Sequence, residues 1–123
     1  MKNRIEFVEI PAADFKRTVK FYETVFGVQL TICDSCDDEK MAFFPAETTT
    51  PNLAISWAAD FRPSPAGVLI HLNTEDINAT LAGIRMNGGQ TLRPKTKIEA
   101  EGLGYFALFS DSEGNTLGLY SEH

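Results

Sequence analysis

The feature that most constrains this 123-residue chain is that its second half repeats its first at a fixed offset. Adding 62 carries Asp14, Phe15, Val19 and Tyr22 onto Asp76, Ile77, Leu81 and Ile84, and carries Ile10 onto Leu72 and Gly27 onto Gly89. An acidic start, an apolar stripe at helical spacing and a glycine stop all survive one shift. A period this long marks a duplicated supersecondary unit rather than a solenoid. Each copy alone would expose an apolar sheet face, so the two copies are expected to pack together.

Taken in order, Arg4 to Ile10 alternates as a strand that Pro11 ends, because proline has no N–H to donate. Asp14 starts a helix whose stripe is Phe15, Val19, Tyr22 and Phe26, and Gly27 stops it. Val28 to Cys33, Lys40 to Phe44 and Leu53 to Trp57 read as strands, with an acidic loop between the first two and a threonine-rich loop, Pro45 to Pro51, before the third. Phe61 to Gly67, with two prolines and a glycine, reads as a linker. The pattern then restarts. Val68 to Leu72 is a strand, Glu75 and Asp76 mark the start of a helix that Thr74 can cap, Ile77, Leu81 and Ile84 form its stripe, and Asn87-Gly88-Gly89 ends it. Gln90 to Ile98 holds a strand interrupted or ended near Pro94. The expected architecture is α+β: two βαβββ modules, about residues 1–60 and 68–123, joined by a linker over 61–67 in a single domain.

The chain closes on a hairpin. Tyr105 to Phe109 is aromatic and apolar, Asp111-Ser112-Glu113-Gly114-Asn115 is turn chemistry, and Thr116 to Tyr120 returns. Gly-Tyr-Phe-Ala-Leu-Phe followed by Asp-x-Glu-Gly-Asn-x-x-Gly-Leu-Tyr resembles the closing hairpin of the vicinal oxygen chelate superfamily, the glyoxalase, bleomycin-resistance and extradiol-dioxygenase group. Ser112 stands where the family turn usually has proline. The likeness extends to Ile5 through Pro11, to Phe21-Tyr22 through Phe26-Gly27, and to Pro94-Lys95-Thr96. It implies a glyoxalase-like fold with a central cavity and a homodimer.

Metal-using relatives bind the ion at four positions, one on the first and one on the last strand of each module. Matched motif to motif, these are Phe7, Leu69, Gly118 and, within a residue or two, Ile55, with Gly118 standing where the family typically has a glutamate. None offers the imidazole or carboxylate that a divalent ion needs. No metal or other cofactor is therefore expected, with a divalent metal as the alternative. Strand alternation adds Glu9 beside Phe7, Trp57 beside Ile55, His71 beside Leu69, and Tyr120 beside Gly118 on the cavity face. Such a lining, apolar with a few polar groups, suits a small organic molecule. Glu9 and His71 occupy equivalent places in the repeat and are the candidate acid–base pair. Glu9 also reads as a strand-end carboxylate reaching water, and His71 as a hydrogen-bonded core residue. Three functions follow: a metal-free small-molecule binder, a glyoxalase- or dioxygenase-like lyase, isomerase or oxygenase, and a bleomycin-type drug-sequestering protein.

Composition bounds the partners. The net charge is −6 without a Lys/Arg cluster, which argues against nucleic acid or an anionic membrane. The N-terminus has no apolar signal core and no run approaches a membrane span, so a cytoplasmic protein is expected. Cys33 and Cys36 form a lone Cys-x-x-Cys with no second pair to complete a zinc site, and the motif does not open a helix after a strand as a redox pair would. They read as ordinary thiols.

Overall fold

The computed structural model describes residues 4–35, 37–46 and 52–123. Cys36 and most of the threonine-rich loop lie outside the described residues. The chain divides into two compact units, Met1–Pro63 and Ser64–His123.

The first unit runs β1 (Phe7–Pro11), α1 (Phe15–Phe26), β2 (Thr31–Cys33), β3 (Glu39–Phe43) and β4 (Asn52–Ala58). Its sheet order is β1-β4-β3-β2, with β1 parallel to β4 and the other pairs antiparallel. Asp14 caps α1: its carboxylate accepts from Arg17 N at 3.1 Å, while Thr18 Oγ1 donates to the Asp14 carbonyl at 2.7 Å. The helix stops at Gly27, whose φ of 64° is a left-handed conformation that suits glycine. Glu23 then accepts from Leu30 N at 2.9 Å and ties the outgoing chain back to the last turn. The buried face is Thr18, Val19, Phe21 and Tyr22. Phe21, outside the expected stripe, is part of it, set edge-on to Tyr22, while Phe15 and Phe26 are only half-buried.

The second unit repeats this order: β5 (His71–Asn73), α2 (Ile77–Met86), β6 (Gln90–Lys97), β7 (Tyr105–Ser110) and β8 (Thr116–Ser121). Its sheet order is β5-β8-β7-β6, with β5 parallel to β8. Asp76, not Thr74, caps α2, accepting from Ala79 N at 3.0 Å. Thr74 instead meets Thr80, hydroxyl to hydroxyl at 2.6 Å. The first strand is shorter than alternation suggested: Val68 is exposed, and pairing opens with Gly118 N donating to Ile70 O at 2.8 Å. In the first unit, likewise, β1 starts at Phe7 and keeps Pro11, because the next N–H, that of Ala12, makes the bond to Ser56 O.

Pro94 does not end β6. That strand is an edge, where a missing N–H is tolerated, and register shifts flank Arg93. The β7–β8 turn is built on Asp111, which is 2% exposed. Its carboxylate accepts from Glu113 N, Asn115 N and Asn115 Nδ2 at 2.9, 2.9 and 3.0 Å. Gly114 supplies the positive φ the turn needs, 91°. Asn115 Oδ1 accepts from Ser64 N at 3.1 Å, so the start of this unit is fastened to its final hairpin. Among the described residues no helix is long and apolar enough to cross a membrane.

Candidate functional site

In the first unit, β1 and β4 run parallel in the register Phe7–Asn52, Glu9–Ala54, Ile10–Ile55 and Pro11–Ser56. Cross-strand partners share a face, and neighbours along a strand alternate. Phe7 and Glu9 therefore share a face with Ala54 and Ser56. Two contacts confirm this: Phe7 stacks on Phe43 with centroids 5.8 Å apart, and Ser56 Oγ donates to Glu9 Oε1 at 2.8 Å. Ile55 lies on the other face with Ile10, at 0% exposure, and packs in the core. This corrects the expectation that Ile55 and Trp57 share the face of Phe7. The motif match was loose by a residue at β4, and one residue of slip exchanges the faces of a strand.

Glu9 and Trp57 nevertheless meet the same space. A cavity of about 700 Å³ opens where β4 runs out into Ala58 to Phe61. Glu9 and Ser56 line it from one sheet face, Trp57 joins them where the strand ends, and Asp37, Asp38 and Glu39 add a rim of carboxylates. Lys40 lies across from Trp57 in register and holds its ammonium 5.6 Å from the ring centroid. Ser56 and Asp60 were missed by sequence reasoning. The signal for Ser56 was its parity with Glu9 through the parallel pair, which needs the register.

In the second unit, His71 pairs with Gly118, Leu72 with Leu119 and Asn73 with Tyr120. His71, not Leu69, is thus the first-strand residue opposite Gly118. Leu69 precedes β5 and is 40% exposed, as Phe7 is 39% exposed in the first unit. The ring of His71 fills the space where a side chain on residue 118 would start: a Cβ there would lie 2.8 Å from its Cγ and closer still to Nδ1. Phe106 stands edge-on to His71 at 6.1 Å, and the Arg93 guanidinium lies 5.0 Å over Phe106. Tyr120 shares the face of His71, but its hydroxyl accepts a bond from Gly104 N at 3.0 Å and fixes the loop before β7.

On the first strand of each unit this leaves one ligand group facing its register partner, the Glu9 carboxylate in the first and the His71 imidazole in the second, while Glu39, opposite Ala58, shares the face of Glu9. Ala54 and Gly118, their register partners, offer none. A glutamate at 118 would have to displace the His71 ring. Among the described residues no three His, Cys, Asp or Glu side chains converge to hold a metal ion. Phe7, Ile55, Leu69 and Gly118, the positions matched to those of metal-using relatives, carry no imidazole or carboxylate. Cys33 is exposed and free.

Two four-stranded mixed sheets, each with one helix and a parallel outer pair, define the α+β fold of glyoxalase-like proteins. The chain belongs to the glyoxalase/bleomycin resistance protein/dioxygenase superfamily, whose sequence profile matches residues 4–119. It is 29% identical over 120 residues to a glyoxylase-like domain-containing protein of Didymella fabae, covering 94% of this chain and 91% of that one. A crystal structure of a glyoxalase I mutant from Zea mays superposes with a TM-score of 0.74 at 23% identity, over 94% of this chain and 45% of the maize enzyme. This chain thus spans less than half the length of that enzyme. An antibiotic-binding protein from a Streptomyces species superposes with a TM-score of 0.69 at 21% identity, over 98% of this chain and 96% of that one.

Proposed function

We propose that this chain is a small-molecule-binding member of the superfamily that keeps no resident divalent ion at the positions metal-using relatives employ. The observation that carries the reading is the cavity at the end of the first sheet, whose size suits a small organic ligand and whose walls combine Trp57, Phe61 and Met41 with polar Glu9 and Ser56. The absence of a side chain at Gly118, with His71 in its place, supports the metal-free part. The likeness to an antibiotic-binding protein supports binding as the role and makes sequestration of a drug-like compound the second reading.

Ser56 has a definite part in this scheme. By donating to one oxygen of Glu9 it fixes the carboxylate's rotamer and leaves the other oxygen to meet a ligand donor. A bond to a charged acceptor of this kind is stronger than a neutral one and holds direction as well as distance.

Native mass spectrometry of the purified protein tests the proposal. The expected spectrum shows no stoichiometric metal, a co-purified or added organic ligand, and a dimer, the assembly expected from the family. One zinc, nickel, iron or manganese per chain after dialysis would overturn the metal-free reading and restore a glyoxalase- or dioxygenase-like lyase, isomerase or oxygenase.

A further inference from the structure

The charge of the first unit's cavity narrows its ligand. Its lining carries five carboxylates, Glu9, Asp37, Asp38, Glu39 and Asp60, and among the described residues one cation, Lys40. A concave site walled by one sign of charge concentrates ions of the opposite sign. Charge alone would suit a metal as well as an organic cation, but two further observations separate them. The carboxylates do not gather into a group of three with ligand geometry, so a compact inorganic ion has no cage. The wall also presents aromatic faces, and one of them already carries a cation: the Lys40 ammonium over Trp57. Phe61, at the lip of the same cavity, adds a second ring. Aromatic rings backed by carboxylates recognise an alkylated or aryl-bearing ammonium through its diffuse charge, which metal-type coordination does not need.

We propose that this cavity selects a small organic cation, an ammonium group bearing apolar substituents, with Trp57 and Phe61 against the apolar part and Glu9, Glu39 and Asp60 setting the charge preference. The inference rests on the small-molecule reading above and adds the ligand class. Lys40 acts as the internal occupant of the Trp57 face, and a ligand cation competes with its ammonium for that ring.

The test uses benzyltrimethylammonium as probe, with benzyl alcohol and benzoate as neutral and anionic controls of the same ring, titrated into the ¹⁵N-labelled full chain. The expected result is saturable shifts at Glu9, Met41, Trp57 and Phe61 with the cation, affinity about tenfold weaker for benzyl alcohol, and no response to benzoate. Raising salt from about 50 to about 300 mM should weaken the cation several-fold. The paired substitution Glu39→Gln with Asp60→Asn should weaken it by about tenfold while leaving benzyl alcohol unchanged. Both carboxylates are exposed, so the fold should tolerate their replacement. If benzyl alcohol or benzoate binds these residues as tightly as the cation, the charge preference is wrong while the binding reading stands. If none of the three shifts these residues, both fail.

Discussion

In the first unit, the sheet face that carries Glu9 ends in a cavity rimmed with carboxylates. In the second, the corresponding face carries His71 seated on Gly118, with Phe106 at its edge and Arg93 over Phe106. The scaffolds match closely: strand, Asp-capped helix and three strands, with the first strand parallel to the last. The comparison teaches that duplication kept what backbone hydrogen bonding and core packing require. The open faces differ in what they carry, Glu9, Ser56 and Phe43 in one unit against His71, Gly118 and Phe106 in the other. Each face has its own polar group, a carboxylate in one unit and an imidazole in the other, so the two copies offer different chemistry on one framework.

The comparison can be broken most strongly through the two cores. Ile55 and Leu119 are both 0% exposed on the last strands of their units. Truncating either to alanine should cost about 2–5 kcal/mol, measured by urea unfolding. A negligible loss at Ile55 would return that residue to the ligand face and undo the register argument.

Next come two glycines that differ in what surrounds them. A Cβ on Gly104 would strike the backbone of Ser121 and Glu122, with Glu122 Cα 2.7 Å away. Gly104→Ala should therefore destabilise by about 1–3 kcal/mol, since neither partner can turn aside. For Gly118→Ala the three nearest atoms all belong to the His71 ring, which is exposed and can rotate away. Its expected cost is below about 1 kcal/mol, with a clear change in the His71 ring proton shifts. Equal losses at the two sites would mean that His71 is held far more firmly than its surroundings show.

The helix caps sharpen the claim that the scaffolds are equivalent. Asp14→Ala and Asp76→Ala should each cost about 1 kcal/mol, read from the same unfolding curves. Losses differing several-fold would show that one cap is supported by neighbours the other lacks.

On the Glu9 face the effect on stability is modest. Ser56→Ala removes the donor to Glu9 and should change stability by about 0.5–1.5 kcal/mol. Its sharper readout is binding of the cationic probe, which should weaken as the carboxylate loses its fixed orientation. Unchanged affinity would separate Ser56 from the ligand role of Glu9.

Much of this protein was legible in its sequence because the signals are local. The helix starts, the Gly27 stop and the hairpin turn of Asp111 to Asn115 follow from residues within a few positions of one another, and the 62-residue repeat follows from matching such local patterns in the two halves. Even Glu9 and His71 could be singled out by alternation along one strand. The cap at Asp76 rather than Thr74 was a near miss, since both residue types cap well and only the geometry of the first turn chooses between them. What sequence could not supply was cross-strand register. Which of Ala54, Ile55 or Ser56 faces Glu9, and whether Leu69 or His71 lies opposite Gly118, depends on hydrogen bonds between strands far apart in the chain. One residue of slip there reverses every side chain, and no local propensity opposes it. Tertiary structure decided those pairings through the burial of Ile10 against Ile55 and of Leu119 in the second sheet, and with them it decided which groups can meet a ligand.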